Sequence, residues 1–516
     1  MGNSMSLQRR LGVLALLVAV PAFLAGCSHA IFPTNGGGGG GNSTSPMILT
    51  IHDSNAPTSG VTVTAFEATV TGASLTPASG TPVSLLSSSQ TIEFTQLQTN
   101  SVYLSTTQVA VGNYTSLTIT YANPQYTIFN GTGASLTING QTCAAAAECV
   151  ITSPTVDNVT GTVTFSSQIV VQQNNQTLIE VDVNLNDLIQ STFDVDFSKS
   201  IAATVTQGTN ASAAIGDPLR VSGQVTAVSA SSSQFTITPA IGPQLTITTT
   251  GTTAFEFTGA NCTNNNFTCI TTNQIVDVTF NVMGNGTTFG ATEVDFDDTG
   301  TTQQISGQIV AMDATPPTTL TIVVHNTIPA ATSLPNGSLA TVTISTSTTD
   351  PATYVINNGA LVLPSSPTLS FASTSDVIVG QEVEARVASG TSISNGAFTT
   401  DRLALEQTQL QATATSVNAT AQPPQPSYVL SSSSSTNPLP SLFVDNPLGA
   451  VTQIQVLTIT QSSPVLTLFQ ALSPNSMSGI TSGTTVVSTG GFLFNTPSVG
   501  SPTIVATVVR GEVSGT

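Results

Sequence analysis

The chain has 516 residues, with 26 Asp or Glu against 7 Lys or Arg, a formal charge of −19, no Trp, and charges at only 6% of positions. Counterion release on nucleic acid needs clustered Lys and Arg, so that class of partner is excluded. The charge is also too sparse for an acidic disordered tail, and 39% apolar residues can bury a core, at a length suited to roughly three to four domains of about 150 residues.

At the amino end, Arg9 and Arg10 precede an apolar stretch from Leu11 to Leu24, and the small residues Ala25 and Gly26 lead to Cys27. This order predicts a signal peptide over residues 1–26, because the stretch is shorter than the roughly 20 apolar residues that a bilayer span takes. The run Leu24-Ala25-Gly26-Cys27 resembles the lipobox of bacterial lipoproteins. That resemblance implies cleavage before Cys27, a diacylglycerol on its thiol and an acyl group on its amino group, chains that together anchor stably. By the same resemblance, Ser28 rather than Asp after the Cys implies an outer-membrane lipoprotein of the bacterial cell envelope, facing the periplasm or the cell surface. An ordinary secreted protein with Cys27 as a leftover thiol is the alternative. Without residues 1–26 there remain 5 basic and 26 acidic residues, a charge of −21, so the membrane partnership rests on the lipid and not on a polybasic patch. Residues 27–46, with six glycines from Gly36 to Gly41, read as a flexible tether.

Beyond the tether the pattern has period two, as in Val61-Thr62-Val63-Thr64, Leu117-Thr118-Ile119-Thr120-Tyr121, Phe235-Thr236-Ile237 and Thr341-Val342-Thr343-Ile344. Alternation of this kind, broken by Gly, Asn, Pro and Ser at short intervals, predicts antiparallel strands. The fold class is all-β, an N-terminal β-sandwich followed by two or three tandem small β-barrels, with essentially no helix outside the signal peptide. Residues 47–210 form the sandwich. Val221-Ser222-Gly223-Gln224-Val225 returns as Ile305-Ser306-Gly307-Gln308-Ile309, 84 residues later, which places one barrel at 216–300 and another at 303–408. A weaker third start, Leu410-Gln411-Ala412-Thr413, has Ala412 in place of the Gly and opens a divergent β domain over 409–516. Two close cysteine pairs, Cys143 with Cys149 and Cys262 with Cys269, suit an oxidising compartment and read as disulfides closing loop tips. No His lies near either pair, so zinc is the lesser reading.

Met47-Ile48-Leu49-Thr50-Ile51-His52-Asp53, Val70-Thr71-Gly72-Ala73-Ser74-Leu75 and Val111-Gly112-Asn113-Tyr114-Thr115 resemble a domain-of-unknown-function family at the amino end of bacterial surface lipoproteins. That resemblance implies a prealbumin-like or carboxypeptidase-regulatory-like sandwich. The Ser-Gly-Gln repeats are similar to a second uncharacterised family of small tandem β-barrels. Neither resemblance implies a catalytic residue.

Chemistry is thinly signalled. There is no G-x-S-x-G, and His29, His52 and His325 lie in the tether and two separate domains; an enzyme would need His52 or His325 beside acids in a cleft. Asp182 to Asp187 opens like an EF-hand loop but lacks its Gly and its bidentate Glu. Glu293, Asp295 and Asp297 alternate along one strand face, which reads first as a solvated face; their repulsion would also be relieved by a calcium ion, so Asp295 and Asp297 are the candidate ligands of a structural calcium. Sugar binding needs flat exposed aromatics, and Tyr103, Tyr114, Tyr121 and Tyr126 cluster in the first domain, where core packing is the readier use. An isopeptide crosslink would have only Lys199. The expected function is therefore a lipid-anchored envelope protein with a structural, adhesive or binding role and no catalysis, its partner a glycan or an envelope protein. A carbohydrate-binding or polymer-processing accessory module is the alternative, told apart by whether Tyr or Phe side chains line an exposed strip.

Overall fold

The computed structural model describes residues 43–53, 60–239, 242–257, 262, 264–284, 286–298, 302–330, 333–349, 351–420, 425–434, 437–461 and 463–512, with the side chains of Asp297 and Asp298 outside that description. The expected signal peptide, Cys27 and most of the expected tether lie outside the described residues. The first strand, Thr44–Asp53, starts within the segment expected to be tether. From Met47 onward it is continuously buried rather than alternating, because it is central in its sheet and covered on both faces. Its sheet runs Ile201–Gly208, Gln176–Val183, Thr44–Asp53, Val102–Ala110, with the middle pair parallel. Met47, Leu49 and Ile51 enter the sandwich core, whereas Ile48 joins Leu178 in the apolar cluster of the first barrel.

The facing sheet is carried by the long strands Val61–Pro77 and Gly112–Asn130, flanked by Thr160–Val171 and Val83–Ser84 and extended by Gln90–Glu93 and Ala147–Ile151. Phe66, Phe94, Tyr121, Tyr126 and Phe197 fill the space between the sheets, and Tyr121 stacks on Phe197 with centroids 4.0 Å apart. Tyr114, Tyr121 and Tyr126 are therefore core residues, each at most 3% exposed.

The same five-strand unit then occurs three times. Its strands are Leu219–Ser229, Gln234–Pro239, Leu245–Thr248, Ile275–Met283 and Thr288–Asp298 in the first copy. They are Gln304–Met312, Thr319–Ile328, Leu339–Ile344, Glu382–Val387 and Ala397–Leu405 in the second, and Gln407–Asn418, Ser427–Ser431, Gln453–Thr458, Val486–Phe494 and Thr503–Gly511 in the third. In each copy the order is third, second, first, fourth, fifth, and the third and fifth strands pair in parallel to close the barrel. This is a small closed Greek-key barrel of the OB type. Two register shifts recur at matching places, one in the first strand and one where the fifth strand leaves Thr292, Asp401 or Thr507 as the extra residue. Such bulges bend strands as a narrow barrel requires.

The glycine of the repeat has a steric cause. A Cβ on Gly307 would run into the Val323 carbonyl, and one on Gly223 would lie 3.0 Å from the Thr238 carbonyl. In the third barrel the first and second strands pair only from Ala414 onward, so Ala412 is tolerated. The close approach moves to Gly491, where a Cβ would meet the Val505 carbonyl. Among the described residues the α-helices are two single turns, Leu185–Leu188 and Ser441–Val444.

Each barrel docks a different loop on the sandwich. The loop before the first barrel's fifth strand accepts hydrogen bonds from Gln176 and Thr106 at the carbonyls of Gly284 and Gly286. The second barrel's loop accepts one from Thr127 at Gly337 and one from Gln125 at Asn336, 2.9 Å long. The third places the turn Ser441–Val444 on Thr62, with the Ser441 and Thr62 hydroxyls 2.8 Å apart. The sandwich is the hub, and the apolar clusters run across the joints: Ala65 and Phe129 pack with the second barrel and with Phe492 and Phe494 of the third.

Candidate functional site

Many of this chain's few charges are buried, although Asp157, Asp187, Lys199, Asp313 and Asp445 are exposed. All four arginines of the described body are paired: Arg220 with Asp277 at 2.7 Å, Arg386 with Asp401 at 2.7 Å, Arg402 with Glu384 at 3.2 Å and Arg510 with Asp217 at 2.8 Å. Two polar junctions result, each built around a histidine.

The first surrounds a cleft of about 200 Å³ where the sandwich, the first two barrels and the strand entering the third converge. The sandwich contributes Glu93, Gln96 and Tyr103, the first barrel Arg220 and Asp277, the second His325, Glu382 and Glu384, and the connecting strand Glu406 and Gln409. His325 reaches it through a bulge: Ser306 pairs with Asn326 and Gly307 with Val324, which leaves His325 as the extra residue. Its Nε2–H donates to the Thr64 carbonyl at 2.7 Å, its Nδ1–H donates to Glu382 Oε1 at 2.9 Å, and the Gln96 amide lies 2.9 Å from Nδ1. Burial opposes its charge, yet the carboxylates of Glu382 and Glu93 outweigh burial and raise its pKa to about 9. The ring is an imidazolium with both N–H groups spent, so it has no lone pair with which to act as a base.

Glu93 is held by its own strand end, accepting from the Phe66 amide at 2.8 Å, the Thr95 hydroxyl at 2.8 Å and the Gln96 amide at 3.1 Å. Across the cleft, Asn357 donates to Glu406 at 2.8 Å and lies 3.4 Å from Asp277, so the second barrel's loop is tied to the first barrel's salt bridge. Burial works against the Arg220 charge, but Asp277, Glu406 and Asp295 hold it above the usual arginine range.

The second junction lies where the sandwich meets the last strand of the third barrel. Arg510 donates to His52 Nδ1 at 2.9 Å and to Asp217 at 2.8 Å, and the Ser101 hydroxyl donates to Asp217 at 3.2 Å. Burial and the Arg510 charge push the His52 pKa down to about 3, so this ring is neutral. Asp53, fully buried beside it, is raised well above the carboxylate range by burial and then by Asp182.

Both disulfides form, Cys143 to Cys149 and Cys262 to Cys269. They do not cap exposed tips: Cys143 and Cys149 are 1% and 3% exposed and belong to the sandwich core, and Cys269 packs in the first barrel. Of the candidate calcium ligands, Asp295 is buried, and burial and Glu293 raise its pKa to about 8. Repulsion on that face is met by the Arg220 charge and by the Ala360 amide, which donates to Glu293 at 2.9 Å. The side chain of Asp297 lies outside the described residues, and among those residues no group of three or more His, Cys, Asp or Glu could hold a metal ion. Tyr103 is the member of the tyrosine cluster that reaches the cleft, and the large apolar residues exposed among the described ones are Val and Leu, with no aromatic strip. Glu382, Glu384, Arg402 and Arg510 carried no motif; their partners come from other strands or other modules. The chain matches no known family model, no curated protein sequence and no solved structure.

Proposed function

We propose that this chain is a lipid-anchored, non-catalytic protein of the bacterial cell envelope with a structural, adhesive or binding role. The lipobox-like run ending at Cys27 supports the anchor. The observation that carries the role is the docking of all three barrels on one sandwich through buried polar contacts, as in the Thr62 to Ser441 and Gln125 to Asn336 bonds. Beads on a string would flex; this body holds a fixed shape at the end of a glycine tether. The imidazolium of His325, with both its protons donated, favours a structural role for that histidine over catalysis. The test is fractionation of cells making the full chain or its Cys27→Ala variant, followed by probing the purified chain on glycan and envelope-protein arrays. Membrane recovery that the variant loses, with a signal on one array, supports the proposal. Soluble recovery of the full chain would overturn the anchor, and silence on both arrays would overturn the adhesive or binding role.

A further inference from the structure

We propose that the cleft between the sandwich, the first two barrels and the strand entering the third is a binding site for a small organic cation, an amine or guanidinium on an apolar body. The inference concerns the folded body alone and does not depend on the lipid anchor.

Size comes first. A cleft of about 200 Å³ is larger than the roughly 150 Å³ that accommodates a benzene ring, so it suits a molecule of about ten heavy atoms rather than a polymer. Junctions between modules are also where small-molecule sites concentrate. Charge then selects the class of ligand. Glu93, Asp277, Glu382, Glu384 and Glu406 line the cleft against Arg220 and His325, with Arg402 reaching Glu384 from behind. Five carboxylates against three cations leave the acids in excess by two. An anion would add to that excess and a neutral polyol would leave it, whereas a cation offsets it in surroundings poor in water.

The walls agree with the charge. Leu97, Val102, Leu245 and Phe280 offer apolar contact for a hydrocarbon body, and the half-buried ring of Tyr103 offers a face for a cation. Asn326, on the same wall, keeps an Oδ1 with no hydrogen-bond partner, and an N–H donor is the group it lacks.

Isothermal titration calorimetry on the full chain in detergent micelles tests this, with agmatine and putrescine as cationic probes and glucose and glutamate as neutral and anionic ones. Saturable one-to-one binding of a cation is expected, with glucose and glutamate silent. Glu406→Gln should weaken the cation at least tenfold, and Asp313→Asn, in an exposed turn, should bind as the wild type does. If Glu406→Gln fails to fold, Gln407→Lys replaces it: an ammonium supplied from the half-buried wall position should abolish binding of the free cation. Silence of both cations, equal binding of glucose or glutamate, or wild-type affinity in a folded Glu406→Gln or Gln407→Lys variant would overturn the proposal.

Discussion

His52 and His325 are buried to nearly the same degree, 6% and 3% exposed, and each closes a joint between the sandwich and a barrel, yet they hold opposite charge states. His52 faces a guanidinium and is neutral; His325 faces two carboxylates and is cationic. Burial alone drives both toward neutrality, so the sign of the nearest charge decides the outcome. At both joints the charges act where water is scarce, so each one counts more than it would at the surface.

The strongest way to break this contrast is Arg510→Met. It strands Asp217, which is 6% exposed and whose pKa burial raises while Arg510 holds it down, and it removes a neighbouring charge from Glu512. Removing one partner of a buried pair costs about 3–5 kcal/mol. Chemical denaturation should show that loss, and NMR titration should show the His52 pKa rising toward the ordinary range. Unchanged stability would mean that the second junction does not hold the third barrel.

Glu382→Gln probes the other joint. The imidazolium loses its ion pair and keeps only the more distant Glu93, at a cost of about 3 kcal/mol. The His325 pKa should fall in the same variant, opposite in sign to the shift of His52 in Arg510→Met, and two shifts of the same sign would end the comparison.

The two joints should also part company with pH. His325 is raised from 6.5 to about 9, so its contribution is full below pH 6.5 and is lost as pH rises through 9. His52 is lowered from 6.5 to about 3, so its contribution is full above pH 6.5 and is lost as pH falls toward 3. At about 1.4 kcal/mol per pKa unit, the His325 limb is about 3–4 kcal/mol and the His52 limb about 5 kcal/mol. Glu148, raised from 4.5 to about 8 by burial, steepens the alkaline side, since its contribution is full below pH 4.5 and gone by pH 8. Urea unfolding across this range should show His325→Gln flattening only the alkaline limb and His52→Gln only the acid one.

How much of this was legible in the sequence follows from how local each signal is. Period two along Leu117 to Tyr121 and the return of Ser-Gly-Gln at Ser306 to Gln308 announce the all-β class and the repeat, and six- and seven-residue gaps announce the disulfides. The junctions carry no such signal. His52 meets Arg510 across 458 positions and His325 meets Thr64 across 261, contacts made by docking of modules. Glu293 and Asp295 read as a solvated carboxylate face or as ligands of a calcium ion, but Asp295 is buried and the nearby charge is Arg220, brought there by strand register that no local pattern encodes. That Arg220 and Arg510 meet their acids at the joints could not be read from the low charge density.

The smallest effect separates the barrels that carry the two histidines' partners. Gly307 lies directly opposite the bulge that turns His325 toward the sandwich, and a Cβ there would collide with backbone rather than with a side chain that could move aside. Gly307→Ala must therefore shift the bulge and should cost about 1–3 kcal/mol, with the His325 pKa falling as the ring leaves Glu382. The matching position in the third barrel, Ala412, has no second-strand residue paired with it but is buried in that barrel's core, so Ala412→Gly loses one buried methyl and adds backbone entropy, about 1–2 kcal/mol in all, and should leave His52 and Arg510 as they are. A His325 pKa unmoved by Gly307→Ala would show that the bulge does not place the histidine. The contrast between the two junctions would then rest on their charged partners alone.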